Sequence, residues 1–193
     1  MKRKNTAILL FDDVEVLDFA GPFEVFAVTD ELSEHQRLNV YTVAKENRPI
    51  IARNGLSINP DYAIADAPEP QIIIIPGGDG TRPVLGQDDI ISWIAQGAVT
   101  ADKVLSVCSG ALLLAKAGLL KGLKATTHHQ VFDTLESLAP ETVIVKDQRF
   151  VDNGKIITSA GISAGIDMSL YVIEQLFGSE VADATADYME YRR

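Results

Sequence analysis

The chain has 193 residues, 47% hydrophobic and 23% charged, with a formal net charge of −10. This is the composition of a soluble globular protein, its length suits one domain that buries roughly 70% of its unfolded surface without a metal or disulfide staple, and its acidic balance argues against a nucleic-acid partner, which would need a basic face. A single cysteine, Cys108, rules out an internal disulfide and suits a reducing, cytoplasmic setting.

The amino terminus, MKRKNTAILLFDD, pairs a basic start with an apolar run too short for a signal peptide, and no cleavage site of small residues follows. No window of about 18 apolar residues offers a membrane span. Asn5 to Phe11 predicts a buried strand. Asp12, Asp13, Glu15 and Asp18 then form an acidic cluster, in which Asp12 and Asp13 read as solvated loop residues. Asp18 to Leu32 puts Phe19, Phe23, Phe26 and Ala27 on one helical face. Gly21-Pro22 predicts that the regular helix begins near there, since proline suits a first turn. Glu24 on that helix could contact its own backbone or a partner chain.

Leu38 to Ala44 reads as a second strand, and residues 50–60 as a hairpin around Asn54-Gly55, a pair that accepts positive φ cheaply. Gln71 to Gly78 is a continuous apolar strand running into a glycine loop. Residues 88–99 predict a helix with Trp93 in the core, and residues 103–108 a strand ending at Cys108. Leu112, Leu113 and Leu114 drive a helix that stops near Gly118. Residues 149–161 form a hairpin through Asn153-Gly154. Residues 164–178 form a long helix with Met168, Leu170, Tyr171, Ile173 and Leu176 mostly inward, and a last helix spans roughly Ser179 to Tyr188.

Strands apolar on both faces, alternating with helices, predict a mostly parallel sheet covered on both sides: a three-layer α/β/α sandwich over a single domain, 1–193. In such sheets ligands bind beyond the carboxyl ends of the strands. Cys108, the Gly77-Gly78 pair and the stretch Asp12 to Asp18 all fall at that edge. A cysteine between a strand and a helix sits where exposed amides favour thiolate, and Ser109 and Gly110 are small enough for a sharp turn. That is the geometry of a nucleophile elbow; the alternative is a small buried hydrophobe, which free cysteine often is.

Two other features carry less. The adjacent pair His128 and His129 is a poor metal motif, with no ligand at standard spacing, and His128 reads either as structural or as catalytic. PGGDGT lacks the Walker lysine-serine pair and the dinucleotide spacing.

Five segments in order resemble the ThiJ/PfpI superfamily, whose flavodoxin-like fold is related to class I glutamine amidotransferases. They are LDFAGPFEVF (Leu17 to Phe26), IIIIPGG (Ile72 to Gly78), VCSGALLLAKAGLLKG (Val107 to Gly122), ATTHH (Ala125 to His129) and TSAGISAGIDMSLYVIE (Thr158 to Glu174). The branch they are most similar to holds isonitrile hydratases and the ligand domains of AraC-type regulators. The resemblance implies Cys108 as nucleophile and Asp18 as the acid beside it; a shift of register along the acidic cluster would put Glu15 there instead. The resemblance also implies Gly77, Gly78, Ser109 and His128 as substrate-binding residues, the amides of Gly78 and Ser109 holding negative charge. Ser109 replaces the histidine that protease-like and glyoxalase-like relatives carry after the cysteine, and His129 stands where tryptophan is common. The late histidine-glutamate pair of amidotransferases is not evident. Little chain follows the last helix, so no helix-turn-helix module is expected.

The implied activity is cysteine-dependent hydration of small organic isonitriles to N-formamides through a Cys108 thioimidate. The thiol would be lowered in pKa and Asp18 raised. The alternative from another class is a non-catalytic thiol-based sensor or small-ligand-binding protein. The partners expected are a small-molecule substrate and a second copy in a homodimer; no metal, cofactor, nucleic acid or membrane is expected.

Overall fold

A computed structural model describes residues 3–193; Met1 and Lys2, the start of the basic amino terminus, lie outside the described residues. In chain order the elements are β1 (Lys4–Leu9), α1 (Val16–Leu32), β2 (Leu38–Ala44), β3 (Ile50–Ile51), β4 (Ser57–Ile58), β5 (Tyr62–Ala63), β6 (Ile72–Ile75), α2 (Thr81–Val84), α3 (Asp88–Thr100) and β7 (Lys103–Val107). There follow α4 (Gly110–Lys116), β8 (Lys124–Ala125), α5 (Phe132–Leu138), β9 (Val143–Ile144), β10 (Phe150–Asp152), β11 (Ile156–Ser159), α6 (Ala164–Phe177) and α7 (Ser179–Tyr188).

The main sheet has the order β10-β11-β7-β6-β1-β2-β5. Every pair in it is parallel except β10 with β11. The composition of the central strands requires this: all four isoleucines of β6 are fully buried, as are Val104, Leu105 and Val107 of β7, so both faces must be covered. Helices α1, α6 and α7 pack together on one face and α2 to α5 on the other. The result is the predicted three-layer, mostly parallel α/β architecture. The chain leaves β1 toward β2 and returns to β6 on the opposite side of β1. That reversal opens a crevice at the carboxyl ends of β1 and β6, the standard place for a ligand in an open α/β sheet.

Both Asn-Gly hairpins form where expected, β3 with β4 and β10 with β11, and Asn54 and Gly55 take φ of 62° and 87°. Helix α1 starts earlier than the sequence suggested, at Val16, and Pro22 lies inside it. An interior proline fits the helical φ but leaves the Asp18 carbonyl without its helical N–H partner. Phe19 and Phe26 are buried as expected, but Phe23 and Ala27 are only half-buried, and Gly21, Pro22, Val25 and Val28 share the inward face. The reason is a close crossing of α1 and α6. A Cβ on Gly21 would lie 2.9 Å from Ile166, and one on Gly165 would lie 3.6 Å from Pro22. Trp93 is half-buried against the core rather than inside it. Helices α2 and α5 and the two-residue strands β5, β8 and β9 have no counterpart in the predicted elements. No helix among the described residues is long and apolar enough to cross a membrane.

Asp30, near the end of α1, is buried and fastens the turn into β2. Its Oδ1 accepts from the N–H of Leu38 at 2.8 Å and of Arg37 at 3.1 Å, and its Oδ2 pairs with Arg3 at 2.8 Å and His35 at 3.1 Å. Burial works against the charge, but these donors more than offset it and hold the carboxyl below the usual range. A carboxyl lowered on folding adds stability above its unfolded pKa and loses it as pH falls through the folded value. Asp30→Asn should therefore cost about 1–3 kcal/mol at neutral pH. That cost should fade as pH drops below about 4, read by denaturant melts across the range.

Candidate active site

Cys108 occupies the bend between β7 and α4 with φ of 55°, a left-handed conformation that costs a non-glycine residue on the order of 1–3 kcal/mol. Its surroundings impose it. The Cys108 N–H is shared between the carbonyls of Ser159 at 3.2 Å and Ala160 at 3.1 Å, and its own carbonyl accepts from the Thr127 hydroxyl at 2.7 Å. Behind the bend, a Cβ at Gly110 would meet the Ile75 carbonyl oxygen at 2.1 Å. The Ser-Gly pair thus lets the turn press against the end of β6.

The acid arrives from the other side of the switch point. Val14 and Gly78 form an isolated antiparallel bridge, and the Glu15 N–H donates to Gly77 O at 2.9 Å. This tie holds the start of α1 against the PGG loop and delivers Asp18, fully buried, beside Cys108. Asp18 Oδ2 accepts from the Gly77 N–H at 3.0 Å, while Oδ1 has no hydrogen-bond partner of ordinary length. Burial raises the Asp18 carboxyl to about 7, against the opposing pull of the Gly77 N–H and the thiol, and the charge of Glu15 pushes the same way as burial. The upward direction is the one expected.

The thiol departs from expectation. Burial pushes Cys108 up to about 12, and the charge of Asp18 adds to it; the amides of Ser109 and Ile162, directed at the sulfur, oppose this without reversing it. The physical reason is that Cys108 is only 8% exposed and the helix behind it is short, seven residues. The site is thus a coupled pair of one carboxyl and one sulfur, both pushed toward their neutral forms by burial, and its proton belongs to the pair. Ile162, at φ 50°, was not foreseen. A β-branched residue in a left-handed bend carries no sequence signal.

Ser109 locks the loop opposite. Its hydroxyl accepts from the Gly78 N–H at 3.0 Å and lies 3.2 Å from Gly78 O, and the Thr81 hydroxyl donates to Gly78 O at 2.8 Å. The Gly78 amide is therefore already engaged, and an anion could use it only by displacing that hydroxyl. Gly77 has no room for a side chain: a Cβ would stand 2.5 Å from Ser109 N, 2.6 Å from its Oγ and 2.9 Å from Asp18 Oδ2. Gly77→Ala should cost about 1–3 kcal/mol of stability. It should also change the reactivity of Cys108, measured by alkylation rate in the still-folded protein.

Above the sulfur opens a cleft of about 350 Å³, lined by Cys108, Ser109, Gly78, Glu15, His128 and His129 together with Arg53, Arg82, Leu85 and Val131. His128 is lowered in pKa, first by burial and then by its neighbour His129. The His128 Nδ1 accepts from the Gln130 N–H at 3.3 Å, so the neutral ring carries its proton on Nε2. Glu15 lines the cleft and pairs with Arg53 at 3.5 Å. Asp12 turns away, accepting from the Ile51 N–H at 2.8 Å and pairing with Arg48 at 3.1 Å, and Glu24 is exposed on α1. Among the described residues no three His, Cys, Asp or Glu side chains gather as a metal site.

The model of the DJ-1/PfpI family matches residues 4–175. An isonitrile hydratase of Pseudomonas putida is 36% identical over 95% of this chain and 76% of its own. The HTH-type transcriptional regulator GbdR of Pseudomonas aeruginosa is 26% identical over 98% of this chain, which spans about half, 51%, of that regulator. The crystal structure of a ThiJ/PfpI family protein from Pseudomonas syringae superposes with a TM-score of 0.90 at 31% identity, covering 100% of this chain and 77% of that one.

Proposed function

This chain belongs to the DJ-1/PfpI family, and we propose that it is a cysteine-dependent hydratase of small organic isonitriles. The observation that carries the reading is the fully buried Asp18 carboxyl, raised to about 7, directly behind the only thiol, which itself lines an open cleft. A carboxyl near the working pH can both take and give a proton. The 36% identity to an isonitrile hydratase supports the choice of electrophile.

The Cys108 sulfur attacks the terminal isonitrile carbon while its proton passes to the Asp18 carboxylate. The new C–S bond leaves an electron pair on that carbon, and Asp18 returns the proton there to give a thioimidate. Water then adds across the C=N bond: Asp18 takes one of its protons and hands it to nitrogen, and the hydroxyl stays on carbon. The C–S bond breaks as the hydroxyl proton returns through Asp18 to the departing sulfur. One isonitrile and one water become one N-formamide, and the pair regains its proton. The amides of Ser109 and Ile162 are the donors available to sulfur as it leaves, and His128 is a neutral Nε2–H donor in the cleft wall. Purified protein should convert p-nitrophenyl isonitrile to the formamide; no Cys108-dependent turnover across a broad isonitrile panel would rule the activity out.

A second reading, a small-ligand-binding protein without turnover, is favoured by the thiol itself, which burial pushes toward its protonated, less nucleophilic form; the thiol-based sensor, which needs a reactive thiolate, gains no support from it. Binding of a small electrophile at Cys108 with no released product would select this second reading.

A further inference from the structure

Arg53 stands in the β3–β4 hairpin, its N–H bonded to Val14 O at 3.0 Å, and its guanidinium lines the cleft above Cys108. The side chain is 42% exposed and lies between two carboxylates, 3.5 Å from Glu15 and 3.4 Å from Asp79. Both separations exceed the N–H···O range of about 2.7–3.2 Å. Its guanidinium accordingly donates no hydrogen bond to any described residue. The neighbouring Arg82, by contrast, is hydrogen-bonded to Asp79 at 2.9 Å. Arg53 is thus positioned by charge from two loops, Nη1 facing Glu15 and Nη2 facing Asp79, in pairs longer than hydrogen bonds that a bidentate carboxylate could displace to take the planar fork. Leu85, Leu112 and Val131 supply apolar wall in the same cleft.

We propose that Arg53 docks a carboxylate of the substrate, so that this site takes small carboxylates bearing the reactive carbon away from the anionic end. Two arginines against Glu15 and Asp79 leave the rim neutral. Discrimination therefore comes from directed donors rather than net field, and should amount to about tenfold. The identity of the reactive carbon rests on the isonitrile reading; the carboxylate preference does not.

The test compares Cys108 alkylation by iodoacetate and by iodoacetamide, which differ in charge but little in size, with N-acetylcysteine as the free-thiol reference. Iodoacetate should be favoured about tenfold over the reference ratio, against the repulsion expected from a chain of net charge −10. Arg53→Gln should return the ratio to the reference, and Arg53→Lys, which keeps charge but not the fork, should keep only part of it. A ratio at or below the reference, or one that Arg53→Gln leaves alone, overturns the proposal. If the thiol reacts with neither reagent, thermal stabilisation by acetate over acetamide carries the same comparison: loss in Arg53→Gln supports it and equal responses contradict it. In parallel, KM for isocyanoacetate should lie below that for its methyl ester. No turnover across the broad isonitrile panel, with the alkylation preference intact, removes the hydratase reading and leaves the carboxylate site standing.

Discussion

Cys108→Ser is expected to keep the fold and lose isonitrile turnover by about 10³-fold or more. Serine fits the same bend: it is no larger, and the amide and carbonyl of residue 108 keep their partners on Ser159, Ala160 and Thr127. What is lost is the polarizable sulfur. A hydroxyl in the same burial would be far harder to deprotonate, and Asp18 at about 7 cannot bridge that gap. Thermal melts should match wild type while formamide formation falls to the uncatalysed rate. Retained turnover would move the chemistry to another group in the cleft.

Asp18→Asn should lower turnover on the order of 10²-fold or more, yet make the thiol easier to ionise and the protein more stable near neutral pH. All three follow from one change. Asparagine can still accept from the Gly77 N–H but carries no transferable proton. Removing the Asp18 charge removes one of the two main causes that raise Cys108, so ultraviolet thiolate absorbance should appear at lower pH. As for stability, Asp18 is raised from 3.8 to about 7 on folding. Between those values the unfolded chain releases a proton that the native state keeps, so wild-type stability falls as pH rises through that window. The loss is on the order of 2–4 kcal/mol. The asparagine variant should show no such fall. More thiolate with less turnover would separate proton transfer from mere activation of sulfur. Wild-type turnover in this variant would remove Asp18 as the acid, and Glu15, which lines the same cleft, becomes the next residue to test.

Much of this arrangement is legible in the sequence because burial on both faces leaves a composition signature. The isoleucines of β6 and the apolar run of β7 could only be central strands, and their carboxyl ends bring PGG and Cys108 together. Asn-Gly pairs located both hairpins, and α7 runs over the predicted residues, Ser179–Tyr188. Pro22 carries a helix-start signal in the sequence, whereas α1 starts just after the Val14–Gly78 bridge, a contact between segments far apart in sequence. The same kind of long-range contact explains the missed site residues. Arg53 reaches the cleft only through a hairpin pinned to Val14, and Ile162 only through the bend before α6. The thiol was misjudged in direction because position at a strand-helix turn is visible in sequence and the depth of burial is not.

The most direct test of the Cys108–Asp18 pair is rapid-quench intact-mass spectrometry of the wild-type protein mixed with excess isonitrile. A species heavier by one isonitrile, mapped to Cys108, should form before formamide and decay as formamide is released. Formamide appearing without that species, or at an unchanged rate from Cys108→Ala, would contradict a covalent route through Cys108.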